Sequence, residues 1–308
     1  MNNKIIVIGS CNTDMVIKAG RLPIPGETII GGTFFMNPGG KGANQAVAAA
    51  RYGGNVTFIS KIGNDVFGKQ SIELFNSEGI NTDFIFSDSN APSGIALIMV
   101  DSHGENCITV ASGANGNLWP SDIEKTEEKI KTASFVLMQL EIPIETVEFA
   151  AELASKNGIP VILNPAPART LSDKLLKNIF LVTPNETEAG ILSGIKVTNF
   201  EQAKQAADII SAKGVENVII TMGAMGVFIK DKDQYYSLPA TKVTAIDTTA
   251  AGDCFSGILC VGLAEGKSIL EASKIASIAS ALSVTKMGAQ SSIPYRDELL
   301  LFKKGLAQ

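Results

Sequence analysis

Short, continuously apolar runs alternate along this chain with longer helical stretches, and that alternation restricts the fold more than any other feature. Ile5-Ile6-Val7-Ile8, Val56-Thr57-Phe58-Ile59, Phe135-Val136-Leu137-Met138, Val161-Ile162-Leu163, Phe180-Leu181-Val182, Val218-Ile219-Ile220 and Val227-Phe228-Ile229 read as strands. Helical patterns fall between them at about 43–52, 66–78, 144–156, 186–192 and 201–213, and two long helices, about 252–265 and 268–286, close the chain. Strands that are apolar on both faces must be covered on both faces. The pattern therefore predicts an α/β fold, a mostly parallel central sheet with helices on either side. With 308 residues the whole chain, 1–308, fits one such domain and buries enough surface to be stable without staples.

Two segments break the rhythm. Residues 12–40 hold extended runs, 15–18 and 28–35, with no helix between them. Residues 94–111 read as a hairpin of 95–100 and 107–110, turned at Asp101-Ser102-His103-Gly104-Glu105. These strands would form a small separate β-sheet, in which Ile29, Phe35, Leu97, Met99 and Ile108 need covering. The expectation is a lid over the substrate that is also the contact of a homodimer. Composition narrows the partners. A net charge of −5 without a Lys/Arg cluster argues against nucleic acid and against an anionic membrane. Cys11, Cys107, Cys254 and Cys260 show neither CxxC nor metal-ligand spacing, which fits free thiols in a reducing cytosol. The apolar runs fall short of the roughly 20 residues of a membrane span, and the first, 4–9, is too short for a signal peptide. A cytoplasmic location is expected.

In open parallel sheets, ligands bind beyond the carboxyl ends of the strands. Here the residues just after the apolar strands are polar: Asn12 and Asp14, then Gln139 and Glu141, Asn164, Thr183 to Glu188, and the turn Thr221-Met222-Gly223-Ala224-Met225-Gly226. Each alone is as easily a turn or a cap. Together, Asn12, Asp14, Asn44, Glu141 and Asp253 suit a polyhydroxylated ligand. Residues 245–257 read as the end of an extended segment, a turn of small residues, and the first turn of a helix. Free N–H groups at such a helix start, with the helix dipole, can hold a phosphate. Ala250, Ala251 and Gly252 leave the main chain bare, and Asp253 could accept a proton from a substrate hydroxyl. On this segment alone, a plain helix start with a dipole-favoured acid remains the alternative. Gly266-Lys267-Ser268 is not a P-loop, because Val261 stands where that pattern needs glycine, and no GxGxxG occurs. His103, the only histidine, sits in the hairpin turn, which removes histidine triads and His-rich metal sites.

Two motifs carry a resemblance: Gly39-Gly40-Lys41-Gly42-Ala43-Asn44-Gln45-Ala46 and Asp247-Thr248-Thr249-Ala250-Ala251-Gly252-Asp253. They resemble the two signatures of the ribokinase/phosphofructokinase-B family of sugar kinases, and the similarity runs from Ile5 to about Tyr295. Met138-Gln139-Leu140-Glu141, Asn164-Pro165-Ala166-Pro167-Ala168-Arg169 and Gly288-Ala289-Gln290 resemble its ribose-specific members rather than fructokinase or adenosine kinase. The resemblance implies ATP-dependent phosphorylation of D-ribose at the 5-hydroxyl. The alternatives are another pentose or nucleoside kinase, such as a 2-deoxyribose kinase, and a non-catalytic sugar-binding protein on the same fold. It also implies roles. Asp253 is the base, and Ala250, Ala251 and Gly252 form the anion hole. Asn12, Thr13, Asp14, Gly40, Lys41, Gly42, Ala43, Asn44 and Glu141, with Asp253, hold the sugar. Asn185 and Glu188 orient Mg2+ and its waters. Thr221, Met222, Gly223, Ala224, Met225 and Gly226 cradle ATP, with Ser277 close to the adenine and Gly252 and Asp253 at the phosphates. A K+ ion is implied beside the anion hole, held by Asp247 and Ser292 and by the carbonyls of Thr249, Ser283, Lys286 and Gly288.

Overall fold

The computed structural model describes residues 3–306. In chain order its strands are β1 (Lys4–Ile8), β2 (Asn12–Lys18), β3 (Thr33–Gly39), β4 (Asn55–Gly63), β5 (Ile85–Asp88), β6 (Gly94–Val100) and β7 (Asn106–Ala111). There follow β8 (Phe135–Met138), β9 (Val161–Leu163), β10 (Leu181–Val182), β11 (Asn217–Thr221), β12 (Val227–Asp231) and β13 (Gln234–Leu238). Nine form one sheet in the order β13-β12-β11-β10-β9-β8-β1-β4-β5, and four form a second, β3-β2-β6-β7. The large sheet is parallel from β11 to β5 and antiparallel only at β11, β12 and β13. The α/β architecture with a separate small β-sheet is thus as the sequence predicts.

The two-residue period of a strand explains the two cores. Ile5 and Val7 pack on one side with the helices Lys41–Arg51 and Ala251–Ala264, whereas Ile6 and Ile8 pack on the other with Ile144–Lys156 and Phe200–Ala212. The helices Lys41–Arg51 and Ala251–Ala264 run against each other at backbone distance. A Cβ at Gly257 would lie 2.6 Å from the Gln45 carbonyl oxygen and 2.7 Å from the Ala48 Cβ. This contact is what brings the two sequence motifs together.

Several expectations are corrected. The helix Arg296–Leu306 follows Ile269–Ser283, so the chain does not close on two long helices. Its Leu299 is buried, and the amphipathic run is short enough to pass for a tail. The segment 239–250 is irregular rather than extended, and is held by the Ile246 N–H donating to the Val284 carbonyl at 2.7 Å. The run 28–35 becomes strand only from Thr33, because Gly31 and Gly32 take φ of 113° and 103°. Edge strands β5 and β13 were not foreseen. Register also divides the small sheet's apolar residues. Asn12, Asp14, Val16, Phe35 and Ile108 share one face, and Met15, Ile17, Phe34, Met36, Leu97 and Met99 the other. The expected apolar set of Phe35, Ile108, Leu97 and Met99 is therefore split between faces, and Ile29 lies outside the strands. Among the described residues no helix is long and apolar enough to cross a membrane, and all four cysteines are free.

Candidate active site

At the carboxyl ends of β1, β8, β9 and β10, the N-termini of two helices converge on one carboxylate. Asp253, in the first turn of Ala251–Ala264, is 5% exposed. Its Oδ2 accepts from Asn44 Nδ2 and its Oδ1 from Gln45 Nε2, both at 2.9 Å. Burial pushes the Asp253 pKa up, against the Lys41 ammonium and the two amides, which favour the anion. Asp253 in turn raises the Lys41 pKa. Just before it, Ala250 is in the left-handed region (φ 60°, ψ 12°), and no side chain caps the helix. Uncapped first-turn N–H groups are ready partners for an anion. They open on a cavity of about 190 Å³ lined by residues 250–253 with Lys41, Asn185, Glu188 and Thr221.

The small sheet supplies the other side. Asn12 and Asp14 share a face of β2, and a Cβ at Gly39 would fall 2.3 Å from the Asp14 carboxylate. Asn115 Nδ2 donates to Asn12 Oδ1 at 2.8 Å, which leaves the Asn12 NH2 group for a ligand. The Asp14 carboxyl is pushed up to about 6, first by burial and then by Glu141 and Asp253. Glu141 Oε2 accepts from the Ser10 hydroxyl at 2.6 Å and from the Lys41 N–H at 3.0 Å. Gly40, with φ 87°, has no room for a side chain, since a Cβ would lie 2.7 Å from the Asn12 nitrogen.

Three assigned residues do not present side chains here. Thr13 lies between Asn12 and Asp14 on β2, so strand alternation turns it to the opposite face. Ala43 is fully buried in the first core, and Met222 is buried in the second, so only their backbones are available. Gly42 abuts the turn that follows β1, where a Cβ would lie 2.5 Å from the Ser10 nitrogen.

Asn185 and Glu188 form a reciprocal capping box: the Glu188 N–H donates to Asn185 Oδ1 at 2.8 Å, and the Asn185 N–H to Glu188 Oε2 at 2.9 Å. Both nevertheless line the cavity, and burial raises the Glu188 pKa. Gly223, Ala224 and Met225 form a short 3-10 turn that Gly226 closes, with Thr221 at its cavity end. Ser277 is half-buried on Ile269–Ser283. Beside the turn that leads into Ala251–Ala264, Asp247 Oδ1 accepts from the Thr249 N–H and hydroxyl and its Oδ2 from the Gly288 N–H at 2.9 Å, tying the two loops. Ser283 and Ser292 are both buried, and their hydroxyls donate to the carbonyls of Ser280 and Ala289. His103 is exposed in its turn.

The sequence reading assigned no role to Ser10, Gln45, Asn115, Gln139, Asn164 or Thr248. Gln45 follows Asn44 and Gln139 follows the last residue of β8, but nothing in their spacing distinguishes a buried polar partner from a turn residue.

The family model for pfkB family carbohydrate kinases matches residues 2–296. The chain is 48% identical over 302 residues to the ribokinase of Haemophilus influenzae, covering 98% of this chain and 99% of that one. It is 39% identical over 291 residues to the deoxyribokinase of Salmonella typhimurium, covering 94% and 95%. It matches the structure of Arabidopsis thaliana ribokinase complexed with ribose and ATP with a TM-score of 0.92, at 34% identity over 99% of each chain.

Proposed function

The chain belongs to the pfkB family of carbohydrate kinases, and from that premise we propose that it transfers the γ-phosphoryl group of ATP to the 5-hydroxyl of D-ribose. The observation that carries this reading is the Asp253 carboxylate, held by Asn44 and Gln45 at an uncapped helix start and facing the cavity. Phosphoryl transfer needs in-line positioning and neutralised charge more than a strong base. Asp253 takes the proton of the sugar hydroxyl as the oxygen attacks. The N–H groups of Gly252 and Asp253 take up charge on the transferred group, and Lys41 adds a cation beside them. Asn12, Asp14, Asn44 and Glu141 hold the remaining hydroxyls. The cleft face of the small sheet thereby acts as a lid, which excludes water that would otherwise accept the phosphoryl group.

Two ions complete the reading. Mg2+ bound with the nucleotide neutralises phosphate charge, and the buried Glu188 carboxylate with Asn185 offers the hard oxygen donors it takes. For K+, the carbonyls of Thr249, Lys286 and Gly288 accept no backbone hydrogen bond among the described residues, which leaves them open to a cation that orders the turn 247–253.

The relative that acts on deoxyribose keeps 2-deoxyribose as the second reading. The deciding measurement is ATP consumption with D-ribose, 2-deoxyribose, fructose and adenosine, with and without Mg2+ and with K+ exchanged for Na+. A kcat/KM for ribose about tenfold or more above the others is expected, since a site built to bind a hydroxyl rejects the analogue lacking it. A preference for 2-deoxyribose moves the assignment to the second reading, and no turnover with any pentose removes both. Activity unchanged in Na+ removes the K+ assignment.

A further inference from the structure

Behind the Asp253 carboxylate lies a row of buried amides that the reaction as described does not use. Gln45 is fully buried, and its Nε2 donates both to Asp253 Oδ1 at 2.9 Å and to Asn164 Oδ1 at 3.1 Å. Its Oε1 accepts from Nε2 of Gln139, also fully buried, at 2.6 Å. Asn164 passes the direction on, because its Nδ2 donates to the Thr183 carbonyl at 3.1 Å. Among the described residues, Gln139 Oε1, at the far end, has no hydrogen-bond partner. It is admitted only because position 9 is glycine, where a Cβ would lie 1.9 Å from it.

Amide orientations are normally ambiguous, but here charge fixes them. An ionised carboxylate only accepts, so Gln45 must turn its NH2 group to Asp253. Its carbonyl oxygen then faces Gln139, which must answer with its own NH2 group. From Gln139 through Gln45 each donor points toward the anion, while the side branch through Asn164 runs on to the Thr183 carbonyl. We propose that Gln45 and Gln139 are positioning residues, a one-way amide relay from the end of β8 that fixes the orientation of the Asp253 carboxylate and the lone pair it presents to the sugar hydroxyl. The relay rests on the kinase reading for its purpose but not for its geometry. Both glutamines are fully buried behind Asp253, so the proposal gives neither a contact with substrate. The charged groups around Asp253 are Lys41, Asp14, Glu141 and Glu188. None of them belongs to the relay, and all stay in place when it is altered.

Gln139→Glu is the discriminating variant. It keeps shape but replaces the donor facing Gln45 by an acceptor, so Gln45 must either face a carboxylate oxygen or flip its own oxygen onto Asp253. Expected is a fall in kcat of about 10–100-fold, as for loss of a hydrogen bond to a charged group, with the KM values for ribose and ATP within about threefold. A second readout needs no turnover: the Asp253 carboxyl resonance in a 13C-aspartate NMR titration, assigned by its loss in Asp253→Asn. Its midpoint should rise by about one unit in Gln139→Glu, because the anion loses a donor. Gln45→Met, which removes the donor without adding charge, should shift it the same way and serves if the first variant does not fold. A midpoint unmoved in the folded variants overturns the relay, whichever sugar the enzyme takes. So does a raised sugar KM at unchanged kcat, which would make these residues part of the binding wall. Failure of wild-type protein to phosphorylate ribose overturns the functional reading and leaves the titration to decide the relay.

Discussion

Asp253, the proposed base, is placed under opposed demands: that role requires it ionised, yet burial favours its neutral form, against which stand Lys41, Asn44 and Gln45. Asp253→Asn keeps the shape and removes the base, so kcat should fall by about 10²–10⁴ while sugar affinity stays within a few-fold. Steady-state kinetics beside calorimetric sugar binding would show it, and near-normal turnover would dismiss Asp253 as the base. Asp14 gives a stability prediction of unusual sign. Its pKa rises from 3.8 to about 6 on folding, so between those values the folded chain holds a proton that the unfolded chain has lost. Stability contributed by this group is therefore lost as pH rises through that window, the reverse of a salt-bridged carboxylate. Asp14→Asn should melt higher than wild type at pH 7–8, by about 2 °C or more, and gain nothing below pH 4, while binding ribose more weakly. An equal melting difference at both pH values would refute the assignment. Asn12, Asp14 and Glu141 were legible only as a group, since several polar residues just beyond apolar strands gather at one sheet edge, and Asp253 was legible from the small-residue helix start that precedes it. Ser10 and Asn115 were not, and Gln139 was legible as a polar residue after a strand but not as a partner of Gln45, since only distances distinguish a buried partner from a loop residue.

At the scale of elements, the site depends on how closely the helices Lys41–Arg51 and Ala251–Ala264 approach. Gly257 sets that distance, with Gln45 and Ala48 against its missing side chain. Gly257→Ala should destabilise by about 1–3 kcal/mol, the usual penalty for overpacking, and lower kcat further than the lost stability explains, because separating these helices pulls Asn44 and Gln45 from Asp253. Thermal melting with kcat measured well below the transition would test this. A variant as stable and active as wild type would mean the contact is not tight. The elements that the sequence revealed are those with strong local signals: apolar central strands and amphipathic helices. Ile85-Phe86-Ser87-Asp88 and Gln234-Tyr235-Tyr236-Ser237-Leu238 escaped notice because edge strands are half-solvated and mix polar with apolar residues. The 239–250 segment reads as extended but is irregular, since its shape comes from tertiary hydrogen bonds such as Ile246 to Val284.

For the whole molecule, the open question is what covers the far side of the small sheet. Its cleft face carries Asn12 and Asp14. Its other face exposes Phe34 (57%), Leu97 (55%), Met36 (48%) and Ile17 (41%), and every residue of β7 is exposed. A four-stranded sheet with one solvated apolar face is marginal by itself. Covering half of each of these four side chains contributes ~1 kcal/mol apiece, on the order of 8 kcal/mol for a pair of protomers. That is comparable to the ~4–15 kcal/mol cost of association, so the apolar face can drive pairing, but only with a dissociation that dilution reveals. The expected assembly is a homodimer joined through this face, seen by sedimentation at micromolar concentration and loosening on dilution. Leu97→Glu with Phe34→Glu places charges on that face and should yield monomer. Because Asn12 and Asp14 hang from the same strands, the monomer should also bind ribose more weakly, whereas ATP affinity, which depends on residues of the large sheet, should change little. A wild type that sediments as monomer at every concentration would remove the dimer, and a charged variant that is monomeric yet keeps full ribose affinity would show that the lid holds its shape unaided.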